Sequence, residues 1–239
     1  EKLACYREKG DHESIWYTHF QDIEKKPTPM LPTTMLLVEC TDNGPRWLFG
    51  YEANEMAKKV GGKATYFTGI KRFLTSMDET EKCHDCNGKV KDFTREEIVR
   101  AYIEYLVESG KKYFGVDFKS IHVSTPVQCQ DRQREALEYI LKGLGFAEVN
   151  TRLDEARAPL YYFLSSRVEK ASRKESQESR LDGKSLGYLI IDCGGGSMDA
   201  TLLRGISLTP PKRTGGAITM HSEEPVLGGN NEFGGENLT

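Results

Sequence analysis

An α/β chain with mixed sheets and packed helices is predicted, and three observations carry the prediction. Residues 92–110 and 130–145 have the apolar spacing and end signals of amphipathic helices. Short runs rich in β-branched and aromatic residues precede, separate and follow them. Strand and helix signals therefore mix along the whole chain, with no internal repeat and no heptad run.

The chain opens on KLACYRE and SIWYTHF, two apolar and aromatic runs joined by the polar KGDHE, which read as a β-hairpin. Three prolines in IEKKPTPMLP (23–32) predict an extended connector. TTMLLVEC (33–40) and RWLFGYE (46–52) read as a second strand pair around TDNGP. EANEMAKKV (52–60) reads as a short helix stopped by Gly61 and Gly62. In DFTREEIVRAYIEYLVESG (92–110), Thr94 is placed as N-cap, and Glu97 three residues on completes a capping box. Phe93 and Ile98 are spaced for a hydrophobic staple across that cap. Ile98, Ala101, Tyr102, Tyr105 and Leu106 follow with helical spacing, so one face is buried.

SIHVSTPV (120–127) reads as a strand entering a turn at Pro126. QDRQREALEYILKGLG (130–145) is the second amphipathic helix, with a glycine stop. AEVNTRL (147–153) is a short strand. DEARAPLYYFLSSRVEKA (154–171) reads as a third helix, in which Pro159 lies in the first turn or distorts it. SRKESQESRLDGKS (172–185) is a solvated loop or disordered insertion. LGYLIIDC (186–193), almost continuously apolar, predicts a strand buried on both faces, with MDATLLRG (198–205) as its hairpin partner. Further strands are expected at GISLT (205–209) and AITMHS (217–222), and Asn237, Leu238 and Thr239 read as the start of a helix.

The 239 residues suit one large domain or two small ones, and 38% hydrophobic and 29% charged side chains are ordinary for a globular core. A net charge of -3 gives no bulk attraction to nucleic acid or to an acidic membrane, and neither is expected as a partner. No apolar run reaches the roughly 18–20 residues of a membrane span. The six cysteines are scattered rather than spaced as a disulfide framework, so a reducing, cytoplasmic setting is expected. The first residue is Glu1 and the chain breaks off after FGGENLT, from which an excised fragment is expected.

The most informative stretch is LIIDCGGGSMDATLL, from Leu189 to Leu203. A turn through Gly194, Gly195 and Gly196 has no Cβ to keep an anion from bare backbone N–H groups. Such amide concavities cradle phosphate, and the Ser197 hydroxyl adds a donor. Asp192 and Asp199 would repel phosphate unless a cation lay between them, so the pattern points to Mg²⁺ bound through water and phosphate. The alternative is a tight glycine turn in an ordinary hairpin.

This stretch resembles the second phosphate motif of the seventy-kilodalton heat-shock protein family, within the actin and sugar-kinase superfamily: apolar strand, Asp, any residue, three glycines, Thr or Ser, any residue, Asp. Residues 121–163, IHVSTPVQCQDRQREALEYILKGLGFAEVNTRLDEARAPLYYF, are similar to that family's strand, Pro turn, Gln-Arg helix, Gly turn, strand and Glu-led helix. FTGIKRFL resembles its Lys-Arg segment, LPTTMLLVECTDNGPRWLFGYEANEMAKK its early strand pair, and GGNNEFGGENL its Gly-Gly-Glu turn. The order is collinear, and the stretch from Ile121 to Leu203 is the specific part.

The resemblance implies a ribonuclease-H-like actin-type ATPase fold, with residues 1–186 as a first lobe and 187–239 as the start of a truncated second lobe. The peripheral part of the first lobe would span about 34–115, and a polar insertion about 168–186. It implies ATP or ADP with Mg²⁺ as cofactors. Lys71 would reach the γ-phosphate; otherwise it is a solvated lysine. Glu155 would hold a metal-bound or nucleophilic water; otherwise it is an acid favoured at a helix N-terminus. Asp192 and Asp199, with Glu155, would hold Mg²⁺ through water. Gly194, Gly195, Gly196 and Ser197 would wrap the β/γ-phosphates, and Gly234 and Gly235 would approach the nucleotide, with Glu236 beside them.

The expected function is nucleotide binding, with ATP hydrolysis in a full-length parent and none in the fragment alone; partners through the parent are client or co-chaperone proteins. A catalytically inactive actin-fold interaction module, a small-molecule kinase and an actin-like filament protein are the alternatives. Several features depart from the pattern. The family's first phosphate loop, its adenosine-gripping lobe and its peptide-binding domain are not in these residues. Ala156 stands where the family has Pro, and the polar insertion is longer, which implies a divergent branch.

KCHDCNGK is a separate candidate. Cys83 and Cys86 have the spacing of half a zinc site, with His84 as a third ligand, or of a redox dithiol. The simpler reading is a hairpin tip with Asn87-Gly88 as its turn. His12, His19, His122 and His221 have no partner at ligand spacing.

Overall fold

The computed structural model describes residues 3–9, 12–125, 129–155, 158–159, 163, 186–193, 198–209, 219–221 and 226–230. By its internal contacts the chain divides into two units, Glu1–Ile121 with Glu135–Val149, and His122–Arg134 with Asn150–Thr239.

In the first unit, β1 (Ala4–Lys9) and β2 (His12–Tyr17) form the expected antiparallel hairpin. The proline-rich connector carries a short ladder of β3 (Phe20–Gln21) and β4 (Pro27–Thr28). The Asp22 carboxylate closes its tip by accepting the N–H groups of Glu24 and Lys26 at 2.9 and 2.8 Å. β5 (Thr34–Thr41) then pairs with β6 (Gly44–Phe49), and α1 (Gly50–Val60) follows at once.

The predicted strand RWLFGYE therefore stops early, and residues 50–52 belong to the helix. The cause is Gly50. Its φ of 56° turns the chain straight out of β6, and a Cβ there would lie 2.3 Å from Leu31 Cδ1.

β7 (Tyr66–Thr68) completes a three-stranded sheet in the order β6-β5-β7. Central β5 is buried on both faces. Met35, Leu37 and Cys40 join the main core, while Leu36 and Val38 pack with Ala53 of α1 and Ala64. A 3-10 turn (Ile70–Thr75) and the hairpin of β8 (Thr80–His84) with β9 (Val90–Thr94) lead into α2 (Arg95–Phe114).

The predicted capping box is present. Glu97 N–H donates to Thr94 Oγ1 at 3.2 Å, and Thr94 N–H donates to Glu97 Oε2 at 2.7 Å. Such a cap contributes about 1 kcal/mol. Phe93 and Ile98, the staple pair, are both buried in the main core with Val99 and Tyr102.

β10 (Ser120–Thr125) and β11 (Glu148–Asp154) pair with each other and flank α3 (Asp131–Gly143), whose Ile140 joins the main core. The third predicted helix falls mostly outside the described residues. Asp154 ends a strand instead, and Ala158, Pro159 and Phe163 are helical. Residues 168–185 and 237–239 also lie outside the described part.

The second unit contains β12 (Leu186–Cys193), β13 (Met198–Thr209), β14 (Thr219–His221) and β15 (Val226–Asn230). β13 is one long strand covering both MDATLLRG and GISLT. It pairs antiparallel with β12 along one edge and with β15 and then β14 along the other.

The expectation that LGYLIIDC is buried on both faces is wrong. Leu189 is 64% and Ile191 59% exposed. β12 pairs only with β13 among the described strands. Tyr188, on the opposite face, is half-buried, and its ring meets Phe163 edge-on at 6.0 Å. A continuous apolar run fits a doubly covered strand, and here β5 is that strand.

Candidate functional site

The β12–β13 register decides how the two acids sit. Asp192 and Asp199 are direct Cα partners, followed by Cys193 and Met198, so residues 194–197 make the connection. Directly opposed residues of an antiparallel pair have Cα atoms about 4.5–5.5 Å apart. Like charges placed so are destabilising unless something offsets them. The pattern that looked like spacing along the chain is thus a cross-strand pair at one end of a hairpin.

The side chains of Asp192 and Asp199 lie outside the described part, as do Gly194, Gly195, Gly196, Ser197, Gly234 and Gly235. Among the described residues, no three His, Cys, Asp or Glu are grouped to hold a metal ion.

β15 adds residues that sequence reasoning missed. Asp199 is the Cα partner of Gly229, Met198 of Asn230 and Ala200 of Gly228. The row Asp192, Asp199, Gly229 therefore runs across three adjacent strands. Two neighbouring glycines in a strand leave space where side chains would stand. The signal was visible as the paired glycines of PVLGGN, but only strand pairing puts them beside the acids.

Glu155 follows β11 directly. Its N–H donates to the Thr125 carbonyl at 2.9 Å, and its side chain is half-buried. The neighbouring frame is tied by hydrogen bonds to one carbonyl. Thr125 Oγ1 donates to Thr151 O at 3.1 Å, and Arg134 Nη1 donates to the same oxygen at 3.4 Å. Arg134 Nε also reaches Cys129 O at 3.2 Å, so the Gln-Arg helix is linked to the start of its own loop.

Lys71 belongs to the first unit, while Glu155, Asp192 and Asp199 belong to the second. It is half-buried in the 3-10 turn, whose Ile70 is part of the core. Arg95 clamps this turn. Its guanidinium lies 4.9 Å from the Phe73 ring centroid and contacts the Ser76 hydroxyl. It also pairs with Glu79 at 2.5 Å and Glu81 at 2.7 Å. No feature of the sequence had singled out Arg95.

KCHDCNGK is the hairpin tip that the simpler reading expected. Asp85 N–H donates to Lys89 O at 3.0 Å, Gly88 N–H donates to Asp85 O at 3.0 Å, and Gly88 has a φ of 82°. Cys83 is fully buried, and burial, reinforced by Glu81, pushes its thiol up to about 11. The thiolate is the nucleophile and metal ligand, so this environment disfavours both alternative roles. Native protein at mildly alkaline pH is expected to leave Cys83 unmodified by iodoacetamide and to label it fully in urea. Peptide mass spectrometry reads this directly, and fast native labelling at Cys83 would reinstate the dithiol reading.

No protein-family model matches the chain. Among curated proteins, it is similar to three named chaperone protein dnaK. The protein of Cyanidium caldarium is 30% identical over 118 residues, 49% of this chain and 16% of that protein. That of Thalassiosira pseudonana is 26% identical over 170 residues, 62% of this chain and 25% of that protein. That of Guillardia theta is 27% identical over 119 residues, 50% of this chain and 16% of that protein. The matched stretches span at most a quarter of these relatives' length. The similarity supports a likeness to the seventy-kilodalton heat-shock family over part of the chain.

Proposed function

We propose that this chain is a nucleotide-binding fragment of a heat-shock chaperone-like ATPase, a divergent branch of the actin-type fold, with Mg-ATP binding and hydrolysis in the full-length parent. The observation that carries the reading is the row Asp192, Asp199, Gly229 at the mouth of a connection made of three glycines and a serine. Acidic residues paired across a ladder favour a cation, and a glycine turn between them would leave backbone N–H groups open to phosphate. A bound Mg²⁺ would supply the positive charge that lets phosphate oxygens lie beside two acids. The partial similarity to dnaK chaperones supports the same reading.

On this reading residues 1–186 are a first lobe, with a peripheral part at about 34–115 and a polar insertion at about 168–186, and residues 187–239 open a second lobe. Asp192, Asp199 and Glu155 hold the hydrated cation, and Gly194, Gly195, Gly196 and Ser197 contact the β/γ-phosphates. Gly234 and Gly235 approach the nucleotide edge. Lys71 reaches the γ-phosphate, and the reaction is phosphoryl transfer run by positioning and electrostatics. Nucleotide is the direct partner; client or co-chaperone proteins bind through the parent, and the setting is cytoplasmic.

The affinity of the chain by itself is expected to be low. A few amide contacts and one hydroxyl contribute about 0.5–1.5 kcal/mol each, rather more where charge assists. Association costs at least roughly 4 kcal/mol. Titration calorimetry is therefore expected to give a millimolar or weaker dissociation constant for Mg-ATP, with no turnover. Binding should vanish without Mg²⁺ and in Asp192→Ala. Nucleotide binding that survives both changes would overturn the proposed site.

A further inference from the structure

We propose that Arg95 is a positioning residue for Lys71: its guanidinium fixes the end of the 3-10 turn that carries the lysine, and so sets where the amine stands. The importance of that placement rests on the nucleotide reading, in which Lys71 reaches the γ-phosphate.

A 3-10 turn has poorer hydrogen-bond geometry than an α-helix and seldom runs beyond about four residues. Ile70–Thr75 is six residues long, so ties from outside must hold it. At its start Gly69 has a φ of 63°, and Ile70 is buried in the main core. At its end Ser76 N–H donates to Phe73 O at 3.1 Å, and Thr75 Oγ1 donates to Arg72 O at 2.9 Å. Arg95, the first residue of α2, adds to these local bonds. Its guanidinium lies over the Phe73 ring, whose face attracts a cation, and its Nη1 donates to the Ser76 hydroxyl. Its backbone N–H donates to Glu79 O at 2.8 Å, just beyond the turn. Lys71 therefore stands between a core anchor and a clamp.

The clamp is itself held. Glu79 at 2.5 Å and Glu81 at 2.7 Å engage two nitrogens of the planar guanidinium, and the Arg95 side chain is only 23% exposed. These two carboxylates offset its charge, so Arg95 serves by holding the turn rather than by binding phosphate itself. A reacting group misplaced by about 1 Å can cost about 100-fold in rate, which is what the clamp guards against.

Arg95→Met in the full 239-residue chain keeps the side-chain length and removes the fork and the charge. Hydrogen exchange at the Arg72 and Ser76 amides should quicken by about tenfold. Exchange at Leu37, whose N–H donates to Thr65 O, should not change. A positioning role further requires that the Lys71 side-chain NMR signal (Hε–Cε) move towards that of a solvated lysine, with no nucleotide present. Glu81→Gln, which weakens one arm of the clamp, should shift the same signals in the same direction by less. An unmoved Lys71 signal or unchanged exchange at Arg72 and Ser76 overturns the proposal. So does equal quickening at Leu37, which would make the effect a loosening of the whole core. The nucleotide reading is checked apart, since millimolar Mg-ATP should perturb the Lys71 signal in the wild-type chain. No perturbation there would remove Lys71 from the phosphate site, and the purpose of the clamp with it, whatever the exchange rates show.

Discussion

Ile98→Ala is expected to lower the stability of the first unit by about 2–5 kcal/mol, the range for emptying a buried aliphatic site. Ile98 is wholly buried, in the first turns of α2, within the cluster that holds Phe93, Val99, Tyr102, Met35 and Leu37. Truncation removes packing on β5, and it also removes one half of the staple that fixes how β9 enters the helix. Ile98→Val keeps most of that volume and should cost about 0.5–1.5 kcal/mol. Urea unfolding followed by Trp47 and Trp16 fluorescence measures both. Equal midpoints for the two variants would mean that α2 is not seated on this core as described.

Acid is expected to loosen the β8–β9 hairpin from β5, and Asp85 is the responsible group. Its side chain is buried and accepts from three backbone N–H groups: Asn87 at 2.8 Å, Lys89 at 2.9 Å and, across to β5, Cys40 at 2.9 Å. Lys89 Nζ returns a bond to Cys40 O at 2.9 Å. The Cys40 N–H is the largest influence holding this carboxyl below its ordinary value of 3.8; the Lys89 and Asn87 N–H groups add to it, and burial opposes it.

A depressed folded pKa contributes stability that is present above the unfolded value and lost as pH falls through the folded one. The loss should therefore fall below about pH 4 and be absent at neutral pH. Asp85→Asn turns an NH₂ donor toward a group of N–H donors, so it should lower the urea midpoint at neutral pH and flatten the acid limb. Hydrogen exchange at Cys40, Asn87 and Lys89 should speed up together. Superimposable acid limbs for wild type and Asp85→Asn would exclude Asp85 as the cause.

Much of the local structure was legible because its determinants lie within a few residues. The Thr94–Glu97 box and the Phe93–Ile98 staple are helix-start spacings, and Asn87-Gly88 is a local turn signal that the positive φ of Gly88 fulfils. Tertiary context moved other boundaries. Gly50 reads as a harmless strand residue until Leu31 is known to press against it. Arg95 reads as one more surface arginine until Phe73, Ser76, Glu79 and Glu81 are seen around it.

The candidate site divides in the same way. Asp192, the glycines and Asp199 were legible as a phosphate pattern, whereas their opposition across a ladder and the arrival of Gly229 depend on residues about 30 positions away. The burial expectation failed at Leu189 and Ile191, while the expected return of the chain from Asp192 into Asp199 is seen in the β12–β13 register.

By itself, the sequence determined the α/β class, the capping box of α2 and the hairpin turn at Gly88, because those follow from short-range sterics and hydrogen bonding. Only the tertiary structure decided that β5 is covered on both faces and β12 on one. TMLLVEC and LGYLIIDC have the same apolar pattern, and an apolar side chain specifies that it gains by leaving water, not which neighbour will cover it.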